Sequence, residues 1–138
     1  MAIVNAHKAL VKTRARLLAK EGLSLPQFGI LKVIANKGPM LMRRLSREML
    51  VTPPNITGII DRLEKRNLVR RVAGTEDRRA SVIELTKEGK NHYQTLAKAQ
   101  RILIQNVLSA LTPDEQVILS TLLTKLRDEI LRRERIDR

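Results

Sequence analysis

Hydrophobic residues at the start of the chain recur with the period of an amphipathic helix. Between residues 2 and 20, apolar pairs stand seven positions apart and form one seam: Ile3/Val4, Leu10/Val11 and Leu17/Leu18. Gly22 follows shortly after, and glycine is the usual residue just past a helix end. The pattern therefore predicts a first helix over residues 2–20.

A second helix is predicted from its start and stop signals. Ser24 stands three residues before Gln27, the spacing of a capping box, and Pro26 lies in the first turn. Gly38-Pro39 ends the helix. Its expected inward face is Phe28, Ile30, Leu31, Ile34 and Ala35. Met40-Leu41 is then predicted to form one short strand.

Two shorter helices come next. Met42 to Leu50 is predicted to be helical, burying Leu45 and Met49. Thr52 is expected to cap a fourth helix, with Pro53 at its first position, that runs to about Arg66. Asn67 ends it, because asparagine tolerates the left-handed conformation. The expected inward residues of this helix are Ile56, Ile59, Ile60 and Leu63.

The period then changes to two, which is typical of strands. Leu68 to Val72 and Ala80 to Leu85 are rich in β-branched residues and flank a charged segment, so they predict a hairpin. Thr86 opens a long helix to about Ala110, and Thr112 caps a last helix with Glu115 at the box position. The apolar stripes expected to be buried are Tyr93, Leu96, Ala97, Gln100, Leu103, Ile104, Val107 and Leu108 on the first, and Ile118, Leu119, Leu122, Leu123, Leu126 and Ile130 on the second.

Two short helices followed directly by a β-hairpin predict a winged helix-turn-helix. The expected fold class is mainly α with a small β-hairpin wing. We interpret residues 1–138 as one domain, with a DNA-binding lobe over 24–86 whose wing covers 68–86. Residues 1–22 and 87–138 are predicted to be dimerisation helices.

Charge and composition narrow the choice of partner. The 138 residues carry 27 Lys+Arg against 14 Asp+Glu, a formal charge of +13, which favours an anionic partner such as nucleic acid. Phe28 and Tyr93 are the only aromatic residues, which argues against binding single strands by base stacking. The absence of cysteine excludes disulfides and thiolate metal sites. No apolar run approaches the roughly 18 residues of a membrane helix, and we expect a cytoplasmic protein.

Candidate DNA contacts lie on three elements of the predicted lobe. On the fourth helix Asn55 suits adenine, Thr57 a thymine methyl, and Arg62 guanine or phosphate. Cations opening the third helix suit phosphate, and arginines at the hairpin tip suit a narrow minor groove. The full set of expected DNA-binding residues is Arg43, Arg44, Thr52, Pro54, Asn55, Thr57, Arg62, Lys65, Arg78 and Arg79.

Three segments in this order resemble the MarR (multiple antibiotic resistance regulator) family. They are Leu63-Glu-Lys-Arg-Asn-Leu-Val-Arg-Arg71, Glu76-Asp-Arg-Arg79 and Leu85-Thr-Lys-Glu-Gly89. The resemblance implies a homodimeric regulator, most often a repressor, that binds palindromic operators and is often released by a small ligand. It places Asn55 and Thr57 on the base-reading turn, Arg79 at the wing arginine, and Asp77 at the acid that braces the wing through an arginine.

The broad apolar stripes of the terminal helices predict a homodimer. Pairing would bury them and set two recognition helices roughly 34 Å apart, about one turn of DNA. The expected interface residues are Ile3, Leu10, Leu17, Leu108, Leu119, Leu122 and Leu126. The alternative is that half of these residues are ordinary core of the single chain.

The remaining sites are less defined by the sequence. An effector crevice between dimer helices and DNA-binding lobe would have Arg14, His7 and Phe28 nearby, with the ligand unspecified. No metal site, cofactor or enzyme motif is expected. Two alternatives stay open at this point: a non-specific architectural DNA-binding protein, and a membrane-surface protein that uses the basic amphipathic start of the chain.

Overall fold

The computed structural model describes residues 1–49 and 56–136, with Ile136 described by its backbone alone. It is mainly helical with a small antiparallel sheet, which confirms the predicted fold class. In chain order the elements are α1 (Ala2–Ala19), α2 (Leu25–Lys37), β1 (Met40–Leu41), α3 (Met42–Glu48), α4 (Ile56–Lys65), β2 (Val69–Ala73), β3 (Ser81–Leu85), α5 (Lys87–Leu108) and α6 (Pro113–Ile136). The chain forms two compact units, residues 1–100 and 101–138.

The ends of the first helices form as the local sequence predicts. The Ser24 hydroxyl accepts from Gln27 N–H, and the Gln27 side chain accepts from Ser24 N–H, so the capping box is complete. Gly22 and Gly38 take positive φ angles of 67° and 83° at the ends of α1 and α2. Asn67 takes φ 55° after α4, which confirms its predicted left-handed conformation.

The sheet has the strand order β1-β3-β2, with both pairings antiparallel. Met40 lies opposite Ile83, so the short strand predicted at residues 40–41 covers the free edge of β3. Along β2 and β3 the register runs from Val69 opposite Leu85 to Ala73 opposite Ser81. The hairpin therefore closes at its base, beside the start of α5.

The base of the hairpin is held by a dense set of backbone contacts. Thr86 N–H donates to the Leu68 carbonyl at 3.2 Å, and the Thr86 hydroxyl donates to the Asn67 carbonyl at 2.6 Å. The same hydroxyl accepts from Gly89 N–H at 2.9 Å and so caps α5. A Cβ on Gly89 would lie only 1.9 Å from the Leu68 carbonyl oxygen, so this position requires glycine.

The core lies in the first unit and is mainly aliphatic. α1, α2, α3, α4 and the sheet all contribute side chains to it, and Phe28 meets Tyr93 of α5 with ring centroids 5.7 Å apart. The largest fully buried side chains are Leu18, Ile30, Leu31, Leu45, Ile60, Leu63, Leu68, Val69 and Ile83.

The second unit contains the last turns of α5 and all of α6. Thr112 and Glu115 form the predicted capping box, and the Gln116 amide donates to the carbonyls of Leu108 and Leu111. None of the described α6 side chains is buried. The α6 stripe is thus not buried within the single chain: Leu119 is half-buried, and the exposed members are Ile118, Leu122, Leu123, Leu126 and Ile130.

Three further details differ from the predicted pattern. Ala35 and Val107 are exposed rather than inward. α3 ends at Glu48, since Met49 already has extended backbone angles, and Leu50, the predicted last residue of this helix, lies outside the described residues. Met49 is half-buried rather than buried. A hydrophobic period shows where apolar residues stand, but neighbouring elements decide which of them are covered.

Candidate nucleic-acid interface

Helix α4 presents two chemically different sides. Ile59, Ile60 and Leu63 are buried in the core, as predicted. This anchoring turns Thr57, Arg62 and Lys65 to the opposite side, where all three side chains are exposed. The Thr57 hydroxyl lies 3.8 Å from the Met42 sulfur, a weak bond that leaves its methyl group accessible. A cationic outer face on a firmly buried helix suits insertion into the major groove.

Helix α3 contributes two exposed arginines in its first turn. Arg43 has no ion-pair partner among the described residues, whereas Arg44 Nε lies 3.6 Å from a Glu48 carboxylate oxygen. Glu48 also accepts a hydrogen bond from Lys37 of α2. That bond, with the charges of both cations, holds the pKa of Glu48 below its ordinary value. Arg43 is thus the more available of the two cations for a phosphate.

The tip of the wing folds over Gly74. Gly74 N–H donates to the Ala80 carbonyl at 2.9 Å, and Ala80 N–H donates to the Asp77 carbonyl at 3.0 Å. A Cβ on Gly74 would lie 2.6 Å from the Asp77 carbonyl oxygen, so only glycine permits this close turn. Arg78 and Arg79 are exposed at the tip, where their guanidinium groups are accessible to DNA.

Asp77 has a different partner from the one that the resemblance implies. Its carboxylate accepts from the backbone N–H of Arg79 at 2.9 Å, an Asx-type turn that shapes the tip. Across residues 1–49 and 56–136, no ion pair joins Asp77 to a guanidinium. The expected brace through an arginine side chain is therefore not formed there, and Asp77 orders the turn through the backbone.

An arginine of β2 instead forms the tie between α4 and the wing. Arg71 makes ion pairs with Asp61 through Nη2 and with Glu64 through Nη1, and its backbone N–H donates to Glu64 at 3.2 Å. The hydrogen bond to Asp61 and the two negative charges raise the pKa of Arg71. Asp61 stands four residues after Thr57 and four before Lys65, on the outer side of α4. Arg71 therefore neutralises acidic groups that would otherwise repel phosphate.

The sequence analysis did not predict this tie. Two acids three positions apart on a helix, followed by an arginine on the next strand, are the available signal. It is weak, because Arg70 and Arg71 are adjacent and the pattern does not say which one faces α4. Arg70 pairs with Glu84 across the sheet instead.

Three of the predicted DNA contacts cannot be placed. Thr52, Pro54 and Asn55 lie outside the described residues. Thr52 is also the predicted cap of the fourth helix. The structure brings the remaining seven to the surface of α3, α4 and the wing tip, all exposed: Arg43, Arg44, Thr57, Arg62, Lys65, Arg78 and Arg79.

The residues expected near an effector crevice separate into three environments. Arg14 is half-buried and donates from Nε to the Gln100 side-chain oxygen at 2.7 Å. Gln100 is 6% exposed, and its amide nitrogen is buried without a hydrogen-bond partner. Phe28 is part of the core, and His7 is exposed on α1. The Arg14–Gln100 pair is therefore the polar feature that this region offers.

The residues expected at a dimer interface are accessible to differing degrees. Ile3 is 51%, Leu122 53% and Leu126 48% exposed. The other four, which are half-buried, are Leu10, Leu17, Leu108 and Leu119. None of the seven belongs to the buried core.

Residues 1–49 and 56–136 contain neither a cluster of metal ligands nor a membrane-spanning helix. No group of three or more His, Asp or Glu side chains in these ranges is placed to hold a metal ion. No helix among them has an apolar stretch long enough to cross a membrane.

Comparison with known sequences identifies related proteins. The model of the MarR family matches residues 23–81, the α2-to-wing segment. The chain is 30% identical to YsmB, an uncharacterised HTH-type transcriptional regulator of Bacillus subtilis, over 91% of this chain and 86% of that protein. It is 32% identical to YfiV, another uncharacterised HTH-type regulator of B. subtilis, over 70% of the chain but only 61% of YfiV.

Solved structures share this fold. A MarR-like transcription regulator from Bacillus cereus superposes with a TM-score of 0.84 at 25% identity, covering 93% of this chain and 92% of that one. NadR in complex with 4-hydroxyphenylacetate superposes with a TM-score of 0.72 at 26% identity, covering 91% and 89%.

Proposed function

Since the chain belongs to the MarR family of DNA-binding transcriptional regulators and not to an enzyme family, we propose that it is a homodimeric repressor of a pseudo-palindromic operator. We further propose that a small molecule releases it from DNA.

The main support for DNA binding is the outer face of α4. Thr57, Arg62 and Lys65 are exposed there, while Arg71 neutralises the neighbouring carboxylates of Asp61 and Glu64. This helix presents two cations and a threonine side chain, which has both a hydroxyl and a methyl group, while its acids are paired. Such a surface can contact base edges and phosphates together.

The homodimer is supported by exposed apolar residues on α6. Leu122 and Leu126 stand four positions apart, and Ile118, Leu123 and Ile130 extend the same side of the helix. Apolar patches of this kind mark interfaces in soluble proteins. A second copy offers the same patch, so two-fold pairing covers both faces at once and implies two related half-sites in the operator.

Release by a small molecule is supported by the Arg14–Gln100 pair. Gln100 keeps a buried amide N–H group without a partner, and Arg14 keeps guanidinium N–H groups beyond the one that Gln100 accepts. A buried donor without an acceptor is costly, and an anionic oxygen of a ligand would satisfy it. NadR, which shares the fold, is solved with an aromatic carboxylate.

The central experiment is selection of preferred duplexes from a random pool, followed by footprinting. We expect a protected pseudo-palindrome with half-sites about 10 base pairs apart, bound about 10³-fold or more tightly than random DNA. Transcription from a promoter that carries this site should fall when the protein is added. Increased transcription would overturn the repressor assignment and leave the operator assignment standing.

The roles of two residues can be separated with the selected duplex. Arg79→Ala is expected to weaken binding to all duplexes. It should also lower the slope of log affinity against log salt by about one, because one contact between a cation and the DNA phosphates is lost. Asn55→Ala should instead reduce the preference for the selected site by about tenfold or more. Lys98→Met on the exposed side of α5 serves as the control for loss of one charge. Identical effects of Arg79→Ala and Asn55→Ala on every sequence would contradict this division.

The alternative is a non-specific architectural protein, which the charge of +13 also favours. Equal affinity for selected and random duplexes would support that alternative. Thr57 and the wing arginines would then act through the DNA backbone alone.

A further inference from the structure

Arg66 lies one residue beyond α4 and reaches across to the end of α1. Its Nη1 donates to the Gly22 carbonyl at 2.7 Å, and its Nη2 donates to the Glu21 carbonyl at 2.9 Å. The guanidinium thus makes two parallel hydrogen bonds to consecutive carbonyls that are more than forty positions away in sequence. We refer to this arrangement as the Arg66 clamp.

The acceptor side of the clamp is built by the turn that ends α1. Leu23 N–H donates to Leu18 at 3.1 Å and Gly22 N–H to Ala19 at 3.0 Å, so the last helical carbonyls are already satisfied. Gly22, with a left-handed φ of 67°, lies in this turn, and the Glu21 and Gly22 carbonyls accept from Arg66. Carbonyls at a helix carboxyl end carry partial negative charge, which favours a guanidinium there.

The donor side of the clamp is fixed to α4 in a similar way. Asn67, with φ 55°, donates from its N–H to Glu64 at 2.8 Å, and Leu68 N–H donates to Leu63 at 3.0 Å. Arg66 therefore belongs to the closing turn of the helix that carries Arg62 and Lys65. The Arg66 guanidinium therefore links the carboxyl end of α4 to the turn that ends α1.

The position of α1 matters because α1 also touches the effector region. Within the described residues, its side chains make one hydrogen bond to another element, from Arg14 to Gln100 of α5. The Arg66 clamp provides a second polar tie, to the Glu21 and Gly22 carbonyls of the turn that follows α1. One tie therefore lies on α1 itself and the other in the turn that ends it.

We propose that Arg66 is a positioning residue for DNA recognition. It fixes the carboxyl end of α4 to the end of α1, so a displacement of α1 also displaces the base-reading helix. This inference rests on the proposed function for its regulatory meaning, whereas the clamp itself is a feature of the fold. Arg66 acts through α4 and makes no DNA contact in this scheme.

The test uses the full-length protein with Arg66→Met, which removes both hydrogen bonds, and Arg66→Lys, which keeps the charge. Lys98→Met is the matched control for the lost charge. We expect Arg66→Met to weaken binding of the selected duplex by about tenfold, the effect of one or two ordinary hydrogen bonds. Binding of random duplexes should stay within about twofold, and the salt slope should not change, because no phosphate contact is lost. Arg66→Lys should lie between Arg66→Met and the wild type.

Amide hydrogen exchange provides a readout that needs no DNA. In Arg66→Met the amides of Gly22, Leu23, Asn67 and Leu68 should exchange faster than in the wild type, and that of Ile83 in the central strand should be unchanged. If the wild type prefers no duplex, the proposed function fails. The clamp is then decided by exchange alone: faster exchange at both helix ends supports it, and unchanged exchange overturns it.

Three results would overturn the positioning role. A parallel loss on selected and random duplexes with a salt slope lower by about one would make Arg66 a phosphate contact. A parallel loss that follows a general fall in thermal stability, with faster exchange at Ile83 as well, would make it an ordinary structural residue. Unchanged affinity for the selected duplex would remove the role altogether.

Discussion

The winged-helix unit and helix α6 use the same kinds of residue with opposite results. In the first unit, apolar residues of five helices and the sheet cover one another, and Leu18, Leu45 and Ile83 are completely buried. On α6 an equally regular stripe of leucine and isoleucine stays in solvent, with Leu122 and Leu126 about half exposed. Both patterns are amphipathic, but only one is completed within a single chain.

This difference shows where each region obtains its stability. The first unit has its own core, capped helix ends and ion pairs between elements, so we expect it to tolerate changes on α6. Helix α6 has good local capping at Thr112 and ion pairs along its own surface, but none of its side chains that the structure describes, up to Arg135, is buried. Its apolar face is therefore expected to depend on a second copy of the chain.

The largest effect is expected from Leu122→Asp combined with Leu126→Asp. Placing two carboxylates in a buried dimer interface should convert the dimer to a monomer, because unpaired charges are not tolerated there. Sedimentation and light scattering measure the oligomeric state. Thr124→Asp, on the opposite side of α6, is the matched control and should leave the dimer intact.

That experiment also tests the comparison directly. If the doubly substituted chain has the same mass in solution and the same unfolding curve as the wild type, the α6 stripe is ordinary surface, where substitutions cost within about 0.5 kcal/mol. The exposure of the apolar residues on α6 would then not be explained by a second copy of the chain.

The next effect in size is expected inside the first unit, from Gly89→Ala. A new Cβ would meet the Leu68 carbonyl oxygen at 1.9 Å, and both groups are backbone-bound, so α5 must move away from the base of the wing. We expect the free energy of unfolding to fall by about 3 kcal/mol, the upper end for overpacking. Urea unfolding measures it.

Gly29→Ala is the matched control for Gly89→Ala. Its Cβ would meet the Met49 methyl carbon at 2.9 Å, but this is the far end of a flexible side chain. In the interior of a helix, alanine also stabilises the fold by about 0.5–1 kcal/mol relative to glycine. The two effects should nearly cancel. A larger loss at Gly29 than at Gly89 would contradict the close approach at the base of the wing.

A smaller effect is expected from Arg71→Met, which leaves the α4 acids unpaired. Affinity for the selected duplex should fall by about fivefold, the effect of roughly 1 kcal/mol of repulsion between Asp61 and phosphate. Adding Asp61→Asn should restore most of it. Loss of side-chain packing alone would not be reversed in this way. Arg70→Met, which breaks the Arg70–Glu84 pair on the sheet, is the matched control.

The smallest effects should come from two carboxylates with lowered pKa values, one in each region. The hydrogen bond from Lys37 lowers the pKa of Glu48, and those from Arg132 and Arg133 lower that of Glu129. A lowered pKa in the folded state means that each carboxylate stabilises the fold above its unfolded pKa. This contribution disappears as the pH falls through the folded value.

Glutamine variants measured across this acidic range test the two sites. Glu48→Gln and Glu129→Gln should each lower the thermal midpoint slightly at neutral pH, and the difference from the wild type should vanish in acid. Glu48 should have the larger effect, because it joins α2 to α3 while Glu129 pairs within one helix. A difference that grows on acidification would contradict the sign of both pKa shifts.

Local signals made most of the fold predictable. Ser24 and Gln27, Thr112 and Glu115, and the left-handed Asn67 act within a few residues, so the helix ends follow from sequence alone. The exposed arginines of α3 and of the wing were also correctly placed on the surface. These features depend on neighbours along the chain.

The parts that could not be predicted depend on distant partners. The bonds from Arg66 to Gly22 and from Arg71 to Asp61 join different elements, and any nearby arginine fits the sequence pattern equally well. For Asp77 the structure shows a local partner, the backbone N–H of Arg79 two residues away, where the resemblance implies an arginine side chain. Exposure on α6 depends on whether a second chain covers it.

The closed base of the hairpin has a consequence for how such a protein can vary. Leu68, Thr86 and Gly89 hold the two ends of the wing together through backbone and hydroxyl contacts that involve no residue of its tip. The base of the wing and the Arg71 ties to α4 are thus separate from the tip, so the length of the tip is expected to vary without changing them. Residues can be inserted or exchanged near Thr75 and Glu76 while α4 and α5 keep their places. The reach of the wing along DNA can therefore change without redesign of the reading helix.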